Sequence, residues 1–549
     1  MPRKPDLIVH SGDLPATVRA LADLLAASPH FFDRGGPVKI VFSAEGGAPI
    51  AVQLTVNLVV IEAHRFCQPI KVDADGNRIP VTLSERVGRM YLDMVGGWGL
   101  RPLVGISTAP LLLPDGTIRS IQGYDDTTGQ WCSNVPPLRV PARPTLAETK
   151  TALRFLRQTF RTFPFADAAR KQNTMLGVEV VDLDRPPGSD ESALLAALLT
   201  AICRPSLQLA PGLLVVAAAI SGAGTGKGML VRAISAIAYG VRPRAFTAGT
   251  EKAELDKRLA AELVEAAPAM FLDNVNGAVL RSATLASVLT ERPARVRLLG
   301  VTRMVPLNST AFVAITGNGL AISEDLARRF LVCELDARCE DPETRPFAAG
   351  FLEEIEARRG ELLVAALTVW RWGRQNFAAI ERGRPLGSYE TWCAWVRDPL
   401  VALGCSDPVE RIASVKASDP HRQHVAELLQ VWWHHHADNP MKAVDLAEPV
   451  KAVADPQGRG RQHLVSHLNR LVGTRSAGLV LTREKPAGRW GAATYAVQQA
   501  KPGSANGMKH RDHRDHRMDG EPSSAPMPPM VPMPDAQQDD DSEHEGHLP

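Results

Sequence analysis

The stretch Ser221-Gly222-Ala223-Gly224-Thr225-Gly226-Lys227-Gly228 decides how this chain is read. An apolar run, residues 213–220, precedes it, and a segment of helical character, residues 229–238, follows. Strand, glycine-rich loop and helix in that order make a phosphate-binding P-loop. Small residues let backbone N–H groups curl around a polyphosphate, and the helix N-terminus adds the positive end of its dipole. Gly222, Ala223, Gly224, Thr225, Gly226, Lys227 and Gly228 are therefore the predicted nucleotide-binding residues, with the Lys227 ammonium on the β/γ-phosphates. Two positions depart from the usual pattern. Ser221 replaces its first glycine, and Gly228 replaces the Ser/Thr whose hydroxyl holds Mg²⁺.

With 549 residues the chain has room for several hydrophobic cores. Its hydrophobic content of 45% and charged content of 22% are those of soluble globular proteins. The net charge of +2 assigns any nucleic-acid affinity to local patches. Seven scattered cysteines without a C-x-x-C pair argue against a zinc ribbon or a disulfide framework and predict a reducing, cytoplasmic setting. No signal-peptide core opens the chain. The most apolar region, residues 193–220, is interrupted by Arg204-Pro205 and Pro211-Gly212, so it predicts a buried helix, a turn and a buried strand, with no membrane partner.

The expected organisation is an α+β N-terminal accessory domain (1–145), a helical linker (146–170), an α/β ATPase domain with a largely parallel sheet (171–345), and a helical lid region (346–410). A winged-helix DNA-binding domain (411–498) and a disordered tail (499–549) complete it. In the first of these, residues 14–27 read as a helix, and residues 38–42 and 54–60 as strands. Trp370, Trp372, Trp392 and Trp395 read as helix-packing residues.

Four further stretches carry chemistry. Ala269-Met270-Phe271-Leu272-Asp273-Asn274 is an apolar strand ending in an acid, and Asp273 is predicted to hold Mg²⁺ beside ATP. Asn274 stands where a water-activating Glu is common; an amide orients water but is no general base. Glu265 is an alternative acid, with a solvated helix face as its plainer home. A second apolar strand, 311–317, ends in Asn318, placed as a γ-phosphate sensor of the AAA+ type. Arg328 and Arg329 suit an arginine finger delivered to a neighbouring subunit of a ring; the plainer alternative is a salt bridge to Asp325. Two β-like runs around residues 300–303 form a basic hairpin, with Arg295, Arg297 and above all Arg303 as candidate phosphate contacts, or else an ordinary surface hairpin.

Together these pieces resemble the helicase half of primase–helicase proteins of bacteriophages and integrative elements, within the superfamily 3 and AAA+-like P-loop ATPases. The likeness spans most of residues 182–495. It rests also on Glu254-Leu255-Asp256-Lys257-Arg258, Leu298-Leu299-Gly300, Thr316-Gly317-Asn318, Asp325-Leu326-Ala327-Arg328-Arg329 and the 386–392 segment. It extends weakly to Asp115-Gly116 and Gly123-Tyr124-Asp125. The resemblance implies an ATP-dependent DNA helicase or translocase in replication of a mobile element; the finger reading adds a homo-oligomeric ring, and the sequence leaves open whether a separate primase works with it. Gly228 and Asn274 favour the alternative, a slow-hydrolysing initiator or loader switch without motor activity.

No primase active site is evident, since Val72-Asp73-Ala74-Asp75 runs into Gly76-Asn77 and reads as a hairpin turn. In the C-terminal region, residues 462–472 read as a recognition helix and 479–495 as a wing. Arg470, Arg483, Lys485 and Arg489, with Arg459, Arg461 and Arg475, form a basic cluster for DNA. Consecutive His434, His435 and His436 diverge around a helix, and His510, His513 and His516 alternate with Arg and Asp, so neither set predicts a metal site.

Overall fold

The computed structural model describes residues 4–42, 49–175, 177–219, 222–247, 252–276, 279–297, 304–345, 350–412, 420–484 and 493–500. Chain contacts set the part ending at Gln498 apart as one compact unit. The architecture is mixed α/β. No helix among the described residues is long and apolar enough to cross a membrane.

A five-stranded sheet organises the molecule. Its members, in chain order, are β1 (Gly212–Ala217), β2 (Ala245–Phe246), β3 (Ala269–Leu272), β4 (Phe312–Asn318) and β5 (Phe330–Glu334). Helix α1 (Lys227–Tyr239) follows β1, and α2 (Lys252–Glu265) precedes β3. The strand order is β2-β3-β4-β1-β5, with every pairing parallel.

Strict alternation along each strand builds two cores, one on each face. Leu213, Val215, Phe271, Ala314 and Leu331 join a core with the helix Ser189–Cys203, with α1 and with the helix Arg359–Gln375. Leu214, Met270, Leu272, Ile315 and Val332 face α2 and the helix Ala283–Thr290. A parallel sheet covered on both faces needs such near-continuous apolar strands. The helix Ser189–Cys203 is buried from Asp190 to its end, as the apolar run predicted. Trp370 and Trp395 pack with ring centroids 5.6 Å apart, and Trp392 Nε1 donates to Thr200 Oγ1 at 2.7 Å. These tryptophans are core.

In the N-terminal part, the helix Leu14–Ala26 and the strand Pro37–Val41 lie where the pattern placed them. The expected strand over 54–60 is instead the start of a helix, Val56–Phe66. Thr55 caps it, accepting from Leu58 N at 3.3 Å, and Val59, Glu62 and Ala63 form its buried face. The cap and the three-to-four spacing outweigh the β-branched valines. The strands Gln68–Val72 and Arg78–Pro80 pair as a hairpin whose turn is held by Asp73, which accepts from Asp75 N at 3.0 Å and Asn77 N at 2.8 Å. The helix Leu146–Phe160 opens with a full capping box between Thr145 and Glu148.

A buried guanidinium ties the N-terminal strands to α2 and to the segment that leads into β4. Arg34 donates to the carbonyls of Leu263, Val264 (3.1 Å), Leu103 (3.1 Å), Val104 (2.7 Å) and Asn308 (2.9 Å). Burial pushes its pKa down to about 10. Next to it, Gly35 (φ +68°) lets the backbone meet Val305, whose Cγ1 would lie 2.2 Å from an added Cβ.

Beyond the helical region comes a smaller assembly. It comprises α3 (Pro420–His436), β6 (Met441–Lys442), α4 (Glu448–Ala454), α5 (Arg461–Leu471), β7 (Arg475–Ser476), β8 (Leu479–Glu484) and β9 (Thr494–Gln499). Its sheet order is β6-β9-β8-β7, over a core of its own around Leu428, Trp432, Leu468 and Leu481.

Replacing Arg34 by Met should lower unfolding stability by about 3–5 kcal/mol, because five backbone carbonyls lose a charged donor in the interior. Urea denaturation followed by tryptophan fluorescence measures this, and Arg34→Lys should recover little of the loss, since one ammonium cannot span the same fork.

Candidate functional site

The carboxyl ends of β1, β3 and β4 open into one cleft of about 540 Å³. Ala223, Gly224, Gly226, Lys227 and Gly228 line one side; Asp273, Asn274, Thr316 and Asn318 line the other. The crevice beyond the strand ends of an open parallel sheet is the usual ligand position in such folds. Sequence-predicted residues from three separate strands thus meet in one place.

The glycine-rich loop passes from β1 into α1 with Gly224 (φ +72°) and Gly226 (φ +92°) in the left-handed region. A Cβ at Gly224 would sit 2.6 Å from the backbone of Glu343, so the short turn Pro342–Thr344 lies against the loop. Lys227 Nζ turns back to donate to Gly222 O at 2.6 Å and Thr225 Oγ1 at 3.1 Å. Burial lowers the Lys227 pKa, and the Asp273 carboxylate opposes that shift. Ser221 lies outside the described residues.

Asp273 follows β3 directly. Its N–H donates to Phe246 O at 3.0 Å, and its Oδ1 accepts a short hydrogen bond from Thr316 Oγ1. Arg232 Nη2 stands 3.5 Å from its Oδ2. Asn274 adopts φ +60° and donates its N–H to Thr316 Oγ1 at 3.2 Å; its side-chain oxygen accepts from Asn276 Nδ2 at 2.7 Å. Asn276 Oδ1 in turn accepts from Asn318 N at 2.8 Å. The Asn318 side-chain oxygen is buried without a partner, and a Cβ on Gly222 would lie 2.9 Å from it. Glu265 is not at this cleft; it faces Arg244 at 3.6 Å around a different cavity.

The donor set does not suit Mg²⁺, which takes oxygen ligands in near-octahedral array. Asp273 Oδ1 is engaged by Thr316, Oδ2 faces a guanidinium, and position 228 has no hydroxyl.

The two finger candidates differ in their surroundings. Arg329 is 9% exposed and donates to Asp325 O at 3.0 Å, Asp325 Oδ1 at 2.8 Å, Ala286 O at 2.6 Å and Thr290 Oγ1. Arg328 is exposed, with one hydrogen bond to Asp325 at 2.9 Å. Partial burial of Asp325 opposes its ionisation, but hydrogen bonds from both arginines outweigh it and hold the carboxyl below its usual range. Neither arginine lines the cleft.

Of the proposed DNA contacts, Arg295 and Arg297 lie on the exposed face of a hairpin whose buried face carries Ala294, Val296, Val305 and Leu307. Arg470 on α5 and Arg483 on β8 are exposed. Arg303, Lys485 and Arg489 lie outside the described residues, as do His510, His513 and His516. Among the described residues no group of three or more His, Cys, Asp or Glu side chains could hold a metal ion.

Sequence reasoning did not select Arg232, Thr316, Asn276 or Glu343. For Arg232 a signal existed, since it lies four residues after the hydroxyl-less Gly228 and so on the same helix face. Glu343 reaches the cleft by tertiary packing and had no local signal.

No family model matches the chain, and no curated protein matches it. Among solved structures, the A form apo structure of the NrS-1 C-terminal region aligns at a TM-score of 0.31 and 14% identity, over 62% of this chain and 84% of that chain. The apo structure of NrS-1 C terminal region (305-718) aligns at a TM-score of 0.29 and 12% identity, over 60% and 82%. Likenesses this remote determine neither fold nor function.

Arg329→Ala should destabilise the fold by about 2–3 kcal/mol, because it strips hydrogen bonds from buried acceptors. Arg328→Ala should change stability by no more than about 0.5 kcal/mol, as befits an exposed ion pair. Parallel thermal denaturation of the two variants checks the contrast.

Proposed function

We propose that the cleft binds a nucleoside triphosphate, ATP being the first candidate, and that the protein is a P-loop ATPase acting on DNA as a replicative helicase or translocase. The observation that carries the nucleotide reading is the placement of Lys227. Its ammonium is held at the mouth of a glycine-rich loop, at the carboxyl edge of a parallel sheet and beside the N-terminus of α1. That combination of cation, loop amides and helix dipole suits a polyphosphate. Because β4 lies between β1 and β3, Asn318 falls between Lys227 and Asp273, where a γ-phosphate sensor would stand.

The DNA reading draws on charge and on element order. The assembly α3-β6-α4-α5-β7-β8-β9 runs helix, strand, two helices and three strands, an order compatible with a winged helix that carries an additional short strand, β7, with Arg470 on the third helix and Arg483 on the wing. Arg328, exposed where Arg329 is committed internally, is the better finger for a ring of subunits.

One feature favours the second reading, a switch that binds ATP and hydrolyses it slowly. The Asn274 side chain is an amide tied to Asn276, and the carboxylates lining the cleft are Asp273, paired with Thr316, and Glu343 on the adjoining turn. Asp273 already accepts the Thr316 hydroxyl, and the Asn274 amide cannot serve as a base.

Single-turnover ATP hydrolysis with and without single-stranded DNA separates the two. DNA-stimulated turnover abolished by Lys227→Ala supports the motor, whereas tight binding without turnover supports the switch. Loss of the Lys227 ammonium should weaken ATP binding by about tenfold or more.

Salt titration of DNA binding tests the wing. The double variant Arg470→Ala/Arg483→Ala should flatten the log Kd against log salt slope by about 1.5, as expected for two lost phosphate contacts. An unchanged slope would remove these arginines from the interface.

A further inference from the structure

The residue after Lys227 has no side chain, and an arginine occupies the space that this leaves. A Cβ on Gly228 would lie 2.7 Å from Arg232 Nη1 and 3.5 Å from Asp273 Oδ2. The guanidinium is held from two directions. Asp273 Oδ2 is 3.5 Å away, and the guanidinium carbon lies 5.4 Å from the centroid of the Phe271 ring. Gly228 and Arg232 are one turn apart on α1, so both face the cleft, and both line it together with Lys227.

In a P-loop with Ser/Thr at this position, a divalent cation sits among the hydroxyl, the acid of the neighbouring strand and the phosphates. Here the same neighbourhood holds a fixed positive charge on the protein itself. A side chain at position 228 would crowd the guanidinium tip and oblige it to shift, whereas glycine leaves it where it stands. Thr316 donates to the other oxygen of Asp273, so both carboxylate oxygens already face a protein group. Guanidinium is always charged, and its planar fork matches phosphate oxygens.

We propose that Arg232 is the resident cation of this cleft, sharing a bound triphosphate with Lys227, so that nucleotide binding needs no divalent metal. This rests on the triphosphate reading of the cleft. Asp273 then serves to aim the guanidinium, and Gly228 to admit it.

Titration calorimetry of the full chain with ATP, once in excess Mg²⁺ and once in excess EDTA, tests the inference. The expected result is a Kd that differs by less than about tenfold between the two conditions. Arg232→Gln should weaken binding in EDTA by about thirtyfold, the scale of one lost charge-assisted contact. Gly228→Ser, which crowds the guanidinium from the other side, should also weaken it in EDTA. A wild-type Kd that rises by about tenfold or more in EDTA overturns the proposal, whatever the variants do. So does an Arg232→Gln variant that binds in EDTA as the wild type does. Absence of binding under both metal conditions would instead defeat the triphosphate reading itself, which makes the two failures distinguishable.

Discussion

The strand Phe312–Asn318 is paired on both edges, to β1 on one side and to β3 on the other, and the geometry of the cleft follows from that double pairing. Register places Thr316 opposite Val215 and Asn318 opposite Ala217, at the end from which the glycine-rich loop departs. Leu272 is opposite Ile315, so Asp273, the next residue, comes level with Thr316 and receives its hydroxyl. A slip of one residue would turn every side chain of the strand to the other face. The apolar alternation that fills both cores forbids such a slip. Packing energy far from the cleft therefore fixes which residues stand within it.

A second device recurs around this sheet. The buried guanidiniums of Arg34 and Arg204 and the half-buried one of Arg359 end on backbone carbonyls instead of carboxylates. Arg34 reaches Leu263 and Val264 at the end of α2. Arg359 reaches Ile237 at 3.1 Å and Ala238 at 3.2 Å near the end of α1, and also Thr108 at 2.8 Å. Arg204 binds Leu207 at 2.9 Å, Ser309 at 2.8 Å and Ala311 at 3.1 Å. Burial pushes the pKa of each down to about 10, which leaves them charged at neutral pH. Helix C-termini present unpaired carbonyls and a partial negative charge, so a cation there satisfies both at once. Arg34 and Arg359 thus finish α2 and α1 and tie them to the N-terminal and helical regions.

Much of the fold was legible from apolar runs and loop chemistry. The runs 213–217, 269–272 and 312–315 are uninterrupted because both sheet faces are covered, and the last two lead into the polar residues Asp273, Thr316 and Asn318 where the strands reach the cleft. The capping box at Thr145 and Glu148 announces its helix in the same local way. The valines of residues 56–60 misled because β-branching is a weak preference, and here a threonine cap and a buried helical face decided the outcome. Between Arg328 and Arg329 no local rule chooses. Only the neighbouring helix, through Ala286 and Thr290, distinguishes the committed guanidinium from the exposed one.

By itself the sequence determined the elements, the glycine-rich loop and the acid and amide that end two strands, since these follow from periodicity and from the conformations open to glycine. Tertiary structure alone decided that Asp273 is shared between a hydroxyl and a guanidinium, that Arg34 is interior, and that Glu343 rests against the loop. Those outcomes join residues tens to hundreds of positions apart, and their free energy lies in desolvation and shared hydrogen bonds that exist only once the chain has closed on itself.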